Sequence, residues 1–370
     1  MTATVTKVTV PTVVLRDLVS RAVKCSTFVD QVPMSSLMQV KVQDGKLFVK
    51  TTDNINYLTT YAEVNADNFE MIVQSKIFSQ IISKVNSVDT SFILDGNQVI
   101  IEANGRYDVP LITDTDGSVI EFPSVSVEAV GTTRHLKAEE IKSVLTLSKS
   151  CKAEKTEVPA ILGNYYADAN AVLTTNYYKA CSNPIALSDT PLLVSSFIMD
   201  LVPNVVDESG VDVYQDDSFV VFESTKGQLI GKKLSEAAVA EYPAEALSNL
   251  IKNPLASSVQ MNRTLFIQAV DRMCLFVDAY EENRLNLTFS EEGLKLASTK
   301  TKSSETIKYT APATVASPVT FSVNGCFLKA ELTACDREDL VVRFSETVGL
   351  QIICGTTTLM LGILADEEQV

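Results

Sequence analysis

Few residues in this chain have a type and spacing suited to chemistry. The single histidine, His135, is the natural general base or metal ligand, yet no cysteine or acidic partner at ligand spacing is obvious beside it. Gly-Gln-Leu-Ile-Gly-Lys-Lys at 227–233 resembles a phosphate-binding loop. Its glycine spacing is one residue short, however, no Ser or Thr follows the lysine, and the flanks read as strands. Asp114-Thr-Asp-Gly at 114–117 lacks the remaining ligands of a calcium loop. The seven cysteines (Cys25, Cys151, Cys181, Cys274, Cys326, Cys335 and Cys354) are odd in number and form no C-x-x-C pair. They read as reduced thiols in cores or helices of a cytoplasmic protein. The sequons at Asn262 and Asn286 are read as chance matches, because no secretory signal precedes them. No active site, metal site or cofactor is expected.

The elements that would hold a site must therefore be read for their own sake. A chain of 370 residues exceeds the usual limit of one core, so two or three domains are expected. Hydrophobic residues at 46% and charged ones at 21% fit an ordinary globular protein. No apolar run approaches the roughly 18 residues of a membrane span. The net charge of −15 argues against nucleic acid only if the basic residues are scattered, since a binding surface depends on where they lie.

Three stretches repeat one pattern: Leu-Phe-Val-Lys-Thr-Thr-Asp-Asn at 47–54, Asn-Ala-Val-Leu-Thr-Thr-Asn at 170–176 and Leu-Lys-Leu-Ala-Ser-Thr-Lys at 294–300. Asp53, Asn176 and Lys300 fall 123 and 124 residues apart, a domain-sized period rather than the roughly 20–50 residues of a solenoid. Each repeat opens with an amphipathic helix, at 13–25, 137–152 and 263–276. Their apolar faces carry Leu15, Leu18, Val19, Ala22 and Val23; Ile141, Val144, Leu145 and Leu147; and Leu265, Phe266, Ala269, Val270 and Met273. On the same period Leu18 aligns with Ile141 and Leu265, and Ala22 with Leu145 and Ala269. Alternating strands follow, with hairpin turns expected at Asp44-Gly45, around Asp168, and at Glu292-Gly293. Second helices at 75–86, 195–205 and 324–335 precede strand sets at 91–103, 212–224 and 340–354. With junctions in 124–132 and 249–258, the expected domains are 1–127, 128–252 and 253–370. Segregated helices and antiparallel strands give an α+β class.

The basic residues gather on these helices. Those at 13–25, 75–86, 137–152 and 263–276 each carry net positive charge, on a chain that is otherwise strongly acidic. Helices sharing one surface would attract phosphates there.

Three repeats in this order and length resemble the bacterial sliding clamp, the beta subunit of DNA polymerase III. The clearest local similarity runs through residues 283–309, 321–344 and 242–254, including Asn324-Gly-Cys-Phe-Leu328 and Tyr242-Pro243. The resemblance implies three clamp domains per chain and a head-to-tail homodimer closing a pseudo-sixfold ring. Such a ring would encircle duplex DNA without sequence preference and tether a polymerase after loading by a clamp loader. It implies DNA-facing roles for Arg16, Arg21, Lys24, Lys76, Lys84, Lys142, Lys149, Lys152, Arg272 and Lys329. It also implies a partner-peptide pocket walled by Leu162, Thr175, Lys179, Ile251, Phe327, Val348 and Met360. The chain departs from the family at Thr175-Asn-Tyr-Tyr-Lys179, where clamps typically have Thr-Asp-Gly-His-Arg. It departs again at Met360-Leu-Gly-Ile-Leu364, in place of a terminal Met-Pro-Met-Arg-Leu, and it lacks the arginine-proline pair usual after the first helix. A partner from a divergent replication system, such as a phage-type one, is the corresponding expectation. The rival is a non-enzymatic β-rich structural protein of a virion. That reading predicts neither electropositive helices nor two equivalent helices per repeat.

Overall fold

The computed structural model describes residues 7–27, 33–114, 120–154, 156, 159–313 and 315–365. Most of the Asp-Thr-Asp-Gly run at 114–117 therefore lies outside the described residues. The chain forms two compact units: Met1–Ala138 with Phe197–Lys233, and Glu139–Ser196 with Leu234–Val370. The helices are α1 Thr12–Ala22, α2 Ser75–Lys84, α3 Ala138–Ser143, α4 Lys149–Cys151, α5 Ser196–Leu201, α6 Glu236–Glu241, α7 Ala244–Lys252, α8 Arg263–Met273 and α9 Gly325–Ala334. Among the described residues no helix is long and apolar enough to cross a membrane.

Alternating burial explains the strands. In Lys46–Thr52, Leu47, Val49 and Thr51 are buried while Phe48 and Lys50 are half-exposed, the period of two that a one-faced sheet requires. In the first unit, an eight-stranded antiparallel sheet runs Phe69–Gln74, Leu37–Gln43, Lys46–Thr52, Tyr57–Glu63, Gly227–Lys232, Phe219–Ser224, Val211–Gln215 and Arg134–Leu136. A four-stranded sheet runs Lys7–Pro11, Asp89–Asp95, Gln98–Glu102 and Arg106–Pro110. The second unit repeats the construction. Its eight strands are Leu192–Val194, Tyr165–Ala167, Val172–Thr175, Lys179–Asn183, Thr357–Gly362, Gly349–Cys354, Asp339–Ser345 and Ser257–Asn262. Its four are Ser304–Ile307, Gly293–Ser298, Arg284–Ser290 and Val319–Asn324.

Each eight-stranded sheet is thus two four-stranded halves zipped edge to edge by strands far apart in sequence. One joint pairs Thr60 with Gly227 and Leu58 with Leu229. The other pairs Lys179 with Leu361 and Ser182 with Thr358. The first joint accounts for the loop-like glycines of 227–233. A Cβ on Gly227 would sit 2.5 Å from the Thr59 carbonyl oxygen, and one on Gly231 would sit 2.6 Å from the Ile198 side chain. These glycines permit close strand and helix packing and cradle no phosphate.

Helices cover the apolar faces. In the first unit Leu15, Leu18, Val19 and Ala22 of α1 and Phe78 and Ile82 of α2 pack on Val40, Val49, Met71 and Phe92. In the second, Phe266, Val270 and Met273 of α8 and Leu328 and Leu332 of α9 pack on Leu287, Leu296, Phe344 and Ile352. Each of these buried Val, Leu, Ile, Phe and Met side chains contributes about 1.5–3 kcal/mol.

The repeated Thr-Thr-Asp pattern has a structural cause. Thr51 donates its hydroxyl to the Ala22 carbonyl at the end of α1 (2.5 Å), and Thr174 does the same to Ser148 (2.7 Å). Ser298 reaches the Phe276 carbonyl (2.9 Å). Each strand therefore satisfies an orphan carbonyl at the end of its repeat's first helix. The residues that follow build the turn. Asp53 Oδ1 accepts from the backbone N–H groups of Ile55 and Asn56, and Asn176 Oδ1 accepts from those of Tyr178 and Lys179. Lys300 has no such acceptor. There Ser298 Oγ accepts from the backbone of Lys300 and Thr301, while the Lys300 ammonium pairs with Asp278 at 2.7 Å.

Four expectations need correction. The buried faces of α1 and α8 correspond at Leu15, Leu18, Val19 and Ala22 with Phe266, Ala269, Val270 and Met273. This is one helical turn away from the alignment of Leu18 with Leu265, and Leu265 is 53% exposed. A helical pattern looks alike after a slip of one turn, so periodicity could not separate the two. In the second repeat, α3 and α4 are joined by a π-helical turn, Val144–Ser148. Its wider winding leaves Leu145 half-exposed and turns Leu147 and Ser148 inward. In the third repeat the hairpin turn is Glu291-Glu292, with Gly293 already in the strand. Gly293 has φ +138°, and a Cβ there would lie 2.3 Å from the Ile307 carbonyl oxygen. Finally, α6 and α7 are two helices beyond the six expected, and α7 runs into the expected junction at 249–258.

Thr174→Val keeps the shape of the side chain and removes the hydroxyl that satisfies Ser148. It is expected to cost about 1–2 kcal/mol in urea unfolding.

Candidate functional site

A cleft of about 820 Å³ lies in the first unit around His135, Asp207, Asp212, Tyr214 and Glu223. His135 does have an acidic partner. Strand pairing sets it opposite Asp212, and Nδ1 lies 2.8 Å from Oδ1, while Nε2 faces the Ser209 carbonyl. Sequence spacing missed Asp212 because the two residues meet only across paired strands. The hydrogen bond to Asp212, then that to Ser209, raises the His135 pKa above its ordinary 6.5. The neighbouring groups satisfy one another. Asp207 accepts from Ser209, Gly210 and Thr225, and the Tyr214 hydroxyl donates to Glu223 at 2.8 Å. The cleft's polar groups are engaged in holding its own loops. Among the described residues no group of three or more His, Cys, Asp or Glu could hold a metal ion.

A smaller cavity of about 220 Å³ in the second unit is apolar. Thr175, Lys179, Val348 and Met360, four of the seven expected wall residues, line it. Leu162 and Ile251 lie in the hydrophobic cluster that also holds Met360 and Leu247, with Val348 packed against it. The Phe327 ring lies 4.5 Å from the Lys179 ammonium. The structure therefore brings all seven into one neighbourhood, two of them as buried support. Sequence reasoning missed Tyr177, Tyr178, Ala246 and Leu250 on the rim. The signals were available in Tyr177-Tyr178, where the family pattern differs, and in the 3–4 spacing of Leu247, Leu250 and Ile251.

Both walls are fixed. The Asn176 turn holds Tyr177 at φ +76°, a conformation costly for a bulky residue, with its N–H on Thr175 Oγ1 at 3.0 Å. On the other side, the Tyr242 hydroxyl donates to the Leu173 carbonyl (3.3 Å), and its ring stacks on Tyr166. At the far end of α7, buried Gln351 donates to the Ile251 carbonyl (3.0 Å). On neighbouring α9, Glu331 is fully buried, with Oε2 unpartnered and Oε1 3.7 Å from Cys151 Sγ. Burial raises its carboxyl pKa well above the ordinary range, against the opposing pull of Lys179.

The expected DNA-facing cations separate into groups. Lys76, Lys84 and Lys142 are exposed. Lys149 is exposed as well, while Lys24 donates to the Asn204 side chain at 2.9 Å. Arg272 pairs with Glu305, and Lys329 with Asp271. Arg16 is turned onto the Ile82 and Val85 carbonyls at the end of α2. Arg21 binds Asp17 and the carbonyls of Asn204 and Lys226. Lys152 is only 8% exposed and faces the Ala153 carbonyl at 3.5 Å, away from the open helix surface.

Two titrations follow. Glu331 keeps a proton in the folded chain that the unfolded chain releases above about pH 4.5, so it lowers stability as pH rises. Glu331→Gln is expected to match the parent in acid and to exceed its stability at neutral and alkaline pH. The raised His135 pKa adds stability below 6.5 that is lost as pH climbs through the folded value. Asp212→Asn should return the His135 titration, followed by NMR, toward its ordinary value.

The sequence matches no protein-family model and no curated protein. Solved structures do match. The beta subunit from DNA polymerase of Streptococcus pyogenes is 14% identical with a TM-score of 0.82, over 98% of this chain and 100% of that one. The DNA polymerase sliding clamp from Bacillus subtilis is 15% identical with a TM-score of 0.82, over 98% and 100%. The DNA polymerase III beta subunit from Thermotoga maritima is 15% identical with a TM-score of 0.79, over 97% and 99%. Over nearly its whole length, this chain has the fold of the DNA polymerase III beta-subunit sliding clamps.

Proposed function

We propose that this protein is a non-catalytic DNA sliding clamp: a head-to-tail homodimer that encircles duplex DNA and tethers a replicative polymerase. Residues 1–127, 128–252 and 253–370 would be three copies of one domain. The observation that carries the reading is the strand order. In both eight-stranded sheets a half ending in Tyr57–Glu63 or Lys179–Asn183 is zipped to a half ending in Gly227–Lys232 or Thr357–Gly362. The two four-stranded sheets are the same halves left single. Their unpaired outer strands, Ser304–Ile307 and Arg106–Pro110, correspond to the zipped ones. A second copy placed head to tail would pair each with its counterpart and leave no open edge at the joint. Leu275, 79% exposed, and Phe276, 42% exposed, follow α8. The Arg272–Glu305 pair sets the end of that helix beside Ser304–Ile307. Both side chains supply apolar surface for the contact.

Duplex DNA would be held by diffuse phosphate attraction, which permits sliding because it reads no bases. The exposed Lys76, Lys84 and Lys142 are the leading contacts, and Arg272 and Lys329 would exchange carboxylates for phosphates. The apolar cavity of the second unit would receive a peptide of the polymerase or clamp loader.

The test combines light scattering, negative-stain imaging and retention on DNA. A two-chain ring is expected, held on nicked circular plasmid and lost when the plasmid is cut. Leu275→Asp with Phe276→Asp should give monomers that are not retained. A wild-type monomer without a central opening, or equal retention on linear and circular DNA, would overturn the proposal.

A further inference from the structure

We propose that Cys274 and Cys326 form a modification site, a pair of thiols that closes into a reversible disulfide on meeting a low-molecular-weight disulfide. The site stands on the geometry of the second unit alone, and only its effect on the pairing of two chains rests on the clamp reading.

Six of the seven cysteines lie in the second unit, where they meet as Cys151 with Cys181, Cys274 with Cys326, and Cys335 with Cys354. Both members of the first and last pairs are buried, out of reach of a reagent. Cys326 is exposed and Cys274 is half-buried.

Packing brings these two together from distant parts of the chain. Cys274 opens the short 3-10 turn Cys274–Phe276 after α8, and Cys326 lies in the first turn of α9. That turn is fixed. The Gly325 N–H donates to the Asn283 carbonyl at 2.9 Å, and Asn324 Oδ1 accepts from the Phe327 N–H at 3.0 Å. A Cβ on Gly325 would lie 3.2 Å from Cys274 Sγ, so that sulfur rests on the start of α9. The two thiols are hydrogen-bonded to each other. Val270, Met273 and Leu328 share the core between the helices, and Asp271 pairs with Lys329 across them. A bond between the sulfurs therefore joins groups already held in place.

The two thiols suit different steps. Cys326, exposed at a helix N-terminus, is the thiol a reagent meets first. Its thiolate attacks one sulfur of the small disulfide, expels the other as a thiolate and leaves a mixed disulfide. Cys274 then gives its proton to water, attacks the Cys326 sulfur and expels the second small thiolate. Two protein thiols are oxidised, one small disulfide is reduced, and the two protons end on the two small thiols. Burial, then the neighbouring Cys326, pushes the Cys274 thiol up to about 11, which keeps it from competing for the reagent. Leu275 and Phe276 follow Cys274 directly. Drawing its sulfur onto Cys326 shifts the apolar surface proposed above for the contact between chains.

The test treats the full-length protein with hydroxyethyl disulfide, which is uncharged and so not repelled by a net charge of −15. Free thiols are then alkylated, and tryptic peptides are weighed. Peptides 273–284 and 309–329 carry one cysteine each. They are expected to appear joined, two hydrogens lighter than their sum, and to separate in dithiothreitol. Cys274→Ser should stop at a mixed disulfide on Cys326, and Cys326→Ser should leave Cys274 reduced. Near-UV circular dichroism of each variant checks the fold. A parent that stays reduced, that stops at the mixed disulfide, or that joins Cys335 to Cys354 instead overturns the proposal. Light scattering follows the consequence. The oxidised parent is expected to pair about fivefold or more weakly than the reduced one, with Cys326→Ser unaffected by the reagent. Equal pairing of both forms overturns the effect on the contact. Monomers in both forms overturn the clamp reading and leave the disulfide standing.

Discussion

A β-strand with one unpaired edge presents a row of backbone N–H and C=O groups that must be matched, covered or left to water. In this protein each half-sheet would end on such an edge, and in both eight-stranded sheets the edge is closed by a strand from a distant part of the sequence. Tyr57–Glu63 closes on Gly227–Lys232, and Lys179–Asn183 on Thr357–Gly362. Several otherwise puzzling residues follow from this closure. Gly227 and Gly231 are small because a neighbouring carbonyl and a helix side chain occupy the space a Cβ would need. Buried Asn56 bridges the joint, its Oδ1 accepting from the Lys232 N–H at 3.0 Å.

The cavity is a by-product of the same closure. Lys179 begins a joint strand, Met360 and Gly362 belong to its partner, and the Asn176 turn before the joint sets Tyr177 and Tyr178 on the rim. The position of Asn56 in the first repeat is taken by Lys179 in the second. One polar residue ties a joint together, and its counterpart leaves an ammonium against an aromatic ring. The same backbone thus ties a joint in one copy and walls a cavity in the other.

The fold class, the six principal helices and the main hairpins were legible in the sequence, because each depends on short-range periodicity or turn chemistry. Asp44-Gly45 is one example, with positive φ at both residues. What escaped was set by long-range contact. The turn-slipped alignment of α8 was invisible because helical faces repeat every turn, and the π turn after α3 is registered only in packing. The partnership of His135 with Asp212 arises from strand register, which no spacing along the chain encodes. Counting charges found the electropositive helices but could not show that Arg16 is committed to the carbonyls of α2 or that Lys152 is buried. For the pocket, the resemblance supplied the neighbourhood. The aromatic rim and α7 needed coordinates.

The order of the strands has a consequence for biosynthesis. The first compact unit is discontinuous: Met1–Ala138 is separated by residues 139–196 from Phe197–Lys233, which finishes it. On a ribosome, Tyr57–Glu63 emerges long before Gly227–Lys232, so its edge stays open while more than half of the unit is already made. Thr357–Gly362 leaves the ribosome long after Lys179–Asn183, which must wait for it. Neither sheet can close vectorially, in step with synthesis. Pairings of this range slow folding, and open edges invite wrong partners. The nascent chain is therefore most exposed to aggregation during the interval when its repeats already exist but their edges have not yet met.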